Sequence, residues 1–198
     1  DRTDVIGRLY YSRFKSEAEM NFYGGKDLAR AYRTVRANTL KIAEEIPEDK
    51  YDFSPAPGTR TVRQLLVHIA LSDSLAGLHK ERRTSFEGVN FPEFVAMMQQ
   101  EEAKPRSKAD VIALLKQRGE ETASWISSLD DSFLGEAFHQ PAGADPAAKS
   151  RFEMIMSMKE HEMHHRSQLM LIERMIGITP HLTRQMQERF AAARQQRA

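Results

Sequence analysis

The stretch Lys159 to Arg166, KEHEMHHR, sets His161, His164 and His165 within little more than one helical turn. A neutral imidazole offers one nitrogen lone pair, so such a cluster is a candidate metal site. On an α-helix, residues four apart lie about 40° apart around the axis and roughly 6 Å apart along it, so His161 and His165 could touch one ion. His164 is within reach of His161 as well. The cluster alone therefore offers two ligand pairs and does not choose between them. A solvated histidine row beside Glu160 and Glu162 is the competing reading, and further ligands must come from elsewhere in the chain.

Composition narrows the chemistry. The sequence has no cysteine, which removes disulfides, thiolate ligands and a cysteine nucleophile and leaves histidine, carboxylates and water as metal ligands. Lys and Arg number 29 against 28 Asp and Glu, a net charge of +1 with the signs interleaved, so no nucleic-acid partner is expected. Only the tail from Arg184 onward leans positive, as a solvated helix face does. No apolar run reaches the roughly 18 residues of a membrane span, and no signal-like segment is visible, so a cytoplasmic location is the default expectation.

At 198 residues with 40% hydrophobic content, the chain reads as a single domain over 1–198, with a core of about 24–180. Residues 1–23 form an extension carrying one narrow apolar face (Ile6, Leu9, Tyr10, Phe14). The first long helix runs from Asp27 to Ile46, closed by Pro47. Tyr51 to Gly58, with two prolines, reads as an ordered loop with Tyr51 and Phe53 turned inward. Thr61 and Gln64 form a capping box that opens the second helix, expected to run to about Arg83. Its stripe of Leu65, His68, Ser72, Leu75 and His79 puts His68 on or at the edge of the buried face.

Pro92 to Gln100 reads as a short connecting helix with Phe91, Phe94, Val95 and Met98 as its apolar contacts. Ser107 with Asp110 caps the third long helix, core-facing through Val111, Leu115, Thr122 and Ile126. Asp130 to Lys149 has no sustained periodicity, and no strand signal is found anywhere. The fourth long helix runs from about Ala147 to Ile176, ended by Gly177. Its inward stripe (Phe152, Ile155, Met158, Leu169, Ile172) places His161 and His165 between Met158 and Leu169, where partly desolvated imidazoles need partners. Thr179 at the N-cap and Pro180 at N1 start a last helix over 181–198, packed outside the bundle or on a second subunit. Its many methionines (Met154, Met156, Met158, Met163 and Met170 among them) mark the fourth helix as adaptable core or interface. The fold class is all-α: a four-helix bundle with a long crossover connection and extra N- and C-terminal helices.

In such a bundle the second helix could bring His68 to His161 and His165 as a three-histidine site. The segments TRTVRQLLVHIALSD and KEHEMHHRSQLMLIERMIG, with IAEEIPEDKYDFSPAPGTRTV before the first histidine, resemble the DinB-like (DinB/YfiT) superfamily of metalloenzymes over roughly Gly24 to Pro180. Carried over position by position, the resemblance implies His68, His161 and His165 as ligands of a divalent metal, zinc or nickel, and sets His164 aside. Ser167 stands where the family often has glycine, a departure that leaves the ligands intact. The resemblance also implies a homodimer and a small-molecule substrate.

Three imidazoles with an open coordination position are the pattern of a catalytic metal more than a structural one. The implied activity is metal-dependent S-transfer from a low-molecular-weight thiol of the bacillithiol or mycothiol kind. Metal-dependent hydrolysis, and a noncatalytic metal-binding or stress-response dimeric bundle, are the alternatives. Asp73, Glu160 and Gln168 are candidates for contacts behind the ligands or to substrate. The residues themselves name no acid, base or electrophile.

Overall fold

The structure, a computed structural model, describes residues 23–196. The expected N-terminal apolar face falls outside them. Four long helical segments make the bundle: α1 (Gly25–Glu45), α2 (Val62–Leu71), α5 (Lys108–Ser127) and α7 (Arg151–Met175). Helix α1 packs on α5 and α7, and α2 packs on the same two, so helices consecutive in sequence sit on a diagonal. Between α2 and α5 the chain crosses over through α3 (Ala76–Lys80) and α4 (Phe91–Ala103), and α4 lies against α2. A short α6 (Asp131–Gly135) precedes the hairpin β1 (Ala137–His139) and β2 (Ala148–Ser150), and α8 (His181–Gln195) follows α7.

Local chemistry sets the ends of these helices. The capping boxes expected at Thr61/Gln64 and Ser107/Asp110 are present, and a third, Ser150/Glu153, opens α7. Gly177, at φ 86°, closes α7: its N–H reaches the Arg174 carbonyl and that of Ile178 the Glu173 carbonyl, a Schellman pattern that a side chain at Gly177 would strain. Tyr51 is fully buried and donates its hydroxyl to the Ala43 carbonyl at 2.7 Å, fixing the loop as expected.

Several boundaries differ from the sequence reading, each for a local reason. The second helix does not run unbroken to Arg83. It tightens to a 3₁₀ turn at Ser72–Leu75, where the hydroxyls of Ser72 and Ser74 bond back to the carbonyls of Ile69 and Leu71 and loosen the α-ladder. The fourth long helix begins at Arg151 rather than Ala147, because Ala148–Ser150 pairs antiparallel with Ala137–His139. Strands of three residues are too short to show alternation, which is why no strand signal is visible in the sequence. Pro180 takes the N-cap of the last helix, not N1. On α4 only Met98 of the four expected contacts is buried, while Phe91 and Val95 stand exposed.

The core is two apolar clusters, one around Ile42, Leu66, Leu115 and Leu169 and one around Tyr32, Ala76, Ile126 and Ile155. A polar layer crosses the bundle between them. At its centre Arg36, 4% exposed, donates from Nε to both carboxylate oxygens of Glu162 (3.0 and 3.1 Å), from Nη1 to the Leu115 carbonyl (2.8 Å), and from Nη2 to the Tyr32 hydroxyl (2.9 Å) and the Ile69 carbonyl (3.3 Å). One α1 side chain thus binds α7, α5 and α2. Gly119 makes room for it, since a Cβ there would lie 2.8 Å from Arg36 Cγ. Beside this centre Asp73 is buried, pairing with Arg118 at 2.8 Å and accepting from the Thr122 hydroxyl.

Glu162 is fully buried, so truncating it strands a buried guanidinium. Glu162→Ala is expected to lower unfolding stability by about 3–5 kcal/mol. Urea denaturation monitored by circular dichroism checks this, and a loss below about 1 kcal/mol, the size of an exposed pair, would show that the contact does not hold the bundle together.

Candidate metal centre

Helix α2 carries His68 and α7 carries His161 and His165, all three turned into the interface between these helices. Their ring nitrogens gather with one atom from each residue within 4.8 Å of the others. The Nε2 atoms face each other: His161 Nε2 is 3.3 Å from His68 Nε2 and 3.1 Å from His165 Nε2. The rings are steeply inclined, His165 at 86° to His68 and 79° to His161, so they meet edge-on instead of stacking.

Protons on the outer nitrogens decide what these contacts can be. His68 Nδ1 is 2.7 Å from Glu102 Oε1, and a carboxylate only accepts, so Nδ1 carries the hydrogen and Nε2 of the neutral ring carries the lone pair. His165 Nδ1 likewise donates to Gln168 Oε1 at 2.9 Å. Two lone pairs therefore point at His161 Nε2. A hydrogen there could satisfy only one of them, whereas a cation among the three satisfies all, with the outer nitrogens of His68 and His165 fixed by hydrogen bonds as metal-ligating histidines commonly have them, while His161 Nδ1 is buried without a partner. The donor set of three imidazoles suits zinc or nickel.

Burial pushes His161 down to about 4, and the neighbouring His165 and His68 push in the same direction. Burial also lowers His68 and His165, against the opposing pull of their bonds to Glu102 and Gln168. All three are neutral near pH 7, the form that ligates.

His164 is exposed and outside the trio, and its Nε2 accepts from Gln168 Nε2 at 3.3 Å. Of the three residues read as supporting contacts, only Gln168 stands at the cluster. Asp73 belongs to the polar layer, paired with Arg118 and Thr122, and Glu160 is exposed. Sequence reasoning missed Glu102 and Arg60. Glu102 sits on the crossover helix, 5% exposed, and binds His68 with one oxygen while Arg60 Nε holds the other at 2.7 Å. In the sequence it is one of two adjacent glutamates on a polar segment, and the only hint is that a long crossover has to pack on something.

Two cavities meet at the trio. One, of about 570 Å³, opens on the His165 side between Arg60, Gln64, Gln99 and Gln168. The other, of about 280 Å³, lies on the His68 and His161 side and is mainly apolar. Arg60 and Gln99 border both. Among the described residues no helix is long and apolar enough to cross a membrane.

Comparison with known proteins agrees with this architecture. A DinB-like protein from Bacillus subtilis, YjoA, superposes with a TM-score of 0.57 at 24% identity, covering 77% of this chain and 92% of its own. YfiT from the same organism, described as a probable metal-dependent hydrolase with an unusual four-helix bundle topology, gives a TM-score of 0.63 at 16% identity, covering 84% and 95%. A protein from Exiguobacterium sibiricum assigned to the DinB family gives 0.53 at 19% identity, covering 77% and 91%. At such identities the likeness establishes the fold. A search of the curated proteins finds no match. The family model of the DinB superfamily matches residues 31–169, from the middle of α1 through His68, His161 and His165 on α7, and the chain belongs to that superfamily.

Proposed function

We propose that this chain binds a divalent metal ion, zinc or nickel, through His68, His161 and His165, and uses it to catalyse transfer of a low-molecular-weight thiol to a small electrophile. The observation that carries the metal reading is the convergence of three Nε2 atoms, two with lone pairs fixed by Glu102 and Gln168. With a coordination position left open, such an ion lowers the pKa of a bound thiol or water and makes the nucleophile available near neutral pH. The chain has no cysteine, so the thiol is a co-substrate of the bacillithiol or mycothiol kind.

Two cavities that meet at one trio support a reaction of two molecules. In this reading the larger and more polar of the two cavities takes the thiol, with Arg60 favouring an anionic group on it and Gln64 and Gln99 able to donate or accept. The apolar cavity takes the electrophile and keeps water from its carbon. Sulfur forms the new bond to carbon, the leaving group departs with the bonding pair, and the thiol proton passes to solvent or to that group. Glu102 holds the His68 ring and balances Arg60.

The description of YfiT as a probable metal-dependent hydrolase favours a second reading, in which water replaces the thiol at the same site. The homodimer belongs to the same proposal: Leu171 and Met175 on α7 and Met186 and Phe190 on α8 expose apolar surface that a second copy could cover.

Metal analysis of the purified chain is expected to find one divalent ion, lost in His165→Ala. Absence of metal in the wild type, with no uptake on addition of zinc or nickel, would remove the proposal. The loaded protein is expected to consume thiol from a panel that includes bacillithiol and mycothiol. Thiol-independent cleavage of an ester or amide would assign it as a hydrolase instead. Because Glu102 fixes the tautomer of His68, Glu102→Ala is expected to weaken zinc affinity by about 10–100-fold while leaving the stoichiometry at one, measured by competition with a chromogenic chelator.

A further inference from the structure

The apolar cavity has a second polar end that the metal reading does not use. It runs from His68 and His161 along Ser72, Leu75 and His79 on one wall and Met158 and Met154 on the other, closed by Phe86, Phe94 and Met98. His79, only 3% exposed, therefore borders the end remote from the trio. It stands on α3, beyond the 3₁₀ turn at Ser72–Leu75 that separates it from His68 on α2.

The surroundings of His79 settle its tautomer. Arg151 is fully buried at the start of α7 and donates from Nη1 to His79 Nδ1 at 3.0 Å. Its Nε donates to Glu136 Oε2 at 2.8 Å, and its guanidinium lies 4.7 Å from the centre of the Phe133 ring and 5.9 Å from that of Phe138. A guanidinium only donates, so Nδ1 carries the lone pair and the proton of the neutral ring is on Nε2. Burial and Arg151 hold His79 down at about 4, which keeps it neutral at pH 7. Among the described residues nothing accepts from this Nε2–H. His79 lines the cavity, so the acceptor for this N–H can be supplied by a molecule held there. The donation from Arg151 withdraws density from the ring and strengthens the N–H as a donor, and the buried positive charge behind it favours an anionic acceptor.

We propose that the apolar cavity binds an organic acid, with an apolar body lying among Leu75, Phe94, Met98 and Met158 and a carboxylate at its tip accepting from His79 Nε2–H. The body reaches back toward the trio, where its near end is the group presented for reaction. That last point rests on the metal reading of His68, His161 and His165, but the recognition by His79 does not. An ammonium tip meets the Arg151 guanidinium behind His79, with the hydroxyls of Ser72 and Ser157 on the cavity wall as neutral acceptors.

Octanoate and octylamine serve as probes, by calorimetry on the full chain both as purified with measured metal content and after zinc loading. Octanoate is expected to bind saturably in both samples, and octylamine not to bind. His79→Leu is expected to weaken octanoate about tenfold or more, and His79→Gln, whose amide can accept from Arg151 and donate to the ligand, to stay within about threefold of wild type. In the wild-type protein the ring Nε2–H resonance of His79 is expected to shift on octanoate addition, which decides the matter if His79→Leu does not fold. Octanoate affinity indifferent to His79→Leu, a static His79 resonance, or binding seen only with zinc and unchanged by His79 substitution would overturn the proposal, the last by placing the carboxylate on the metal. A protein that takes up no metal but binds octanoate through His79 would refute the metal reading and leave this one standing.

Discussion

The buried pair of Arg36 and Glu162 is the constraint on which the rest of the molecule depends. Both groups are almost entirely withdrawn from water, and the guanidinium spends its remaining donors on the Leu115 and Ile69 carbonyls and the Tyr32 hydroxyl. Desolvating two charges is tolerable only with such complete pairing, so alternative settings of the helices that leave either charge unpaired are strongly disfavoured. Because the partners come from α1, α2, α5 and α7, the pair fixes how all four long helices meet. Glu162 follows His161 directly in the chain. The rotation of α7 that satisfies Arg36 is therefore the rotation that turns His161 and His165 toward α2.

The same polar layer divides the core and gives the bundle two ends with different tasks. One apolar cluster, around Tyr51, Leu66 and Leu169, is tied down by the loop after α1. The other, around Tyr32, Ile126 and Ile155, is capped by α6 and the hairpin, with Arg151 buried against Phe133 and Phe138. The apolar cavity opens where the α-ladder of the second helix is interrupted at Ser72–Leu75, and the larger one at the start of α2, with α4 bordering both through Gln99. A bundle with apolar residues throughout its centre would offer neither the opening nor the convergent nitrogens.

The crossover contributes more than connection. Through Glu102 it supplies the carboxylate that fixes the proton of His68, and through Phe94 and Met98 it forms a wall of the apolar cavity. The trio accordingly draws its ring nitrogens from two helices and its orientation from a third. Arg60, between the capping threonine of α2 and the loop before it, balances the charge of Glu102 and borders both cavities. Donor set, supporting carboxylate and cavity walls thus come from separate parts of the chain, so the site exists only when the bundle is closed.

Much of this was legible in the sequence because it is written in local chemistry. Capping boxes at Thr61/Gln64 and Ser107/Asp110, the stop at Gly177 and helical periodicity all act within a few residues, and they fix where the long helices lie and which faces turn inward. His68, His161 and His165 were legible for the same reason, as histidines on inward stripes, and the lack of cysteine bounded the chemistry before any fold was known. Glu102, Arg60, Arg36 with Glu162, and His79 with Arg151 were not legible in those roles. Each looks locally like a solvated charge or an ordinary helix residue, and its partner lies far along the chain, 34 residues away for His68 and Glu102 and 126 for Arg36 and Glu162. Burial of a charge is decided by what is packed against it, and the sequence carries no local signal for a neighbour that arrives only when the helices assemble.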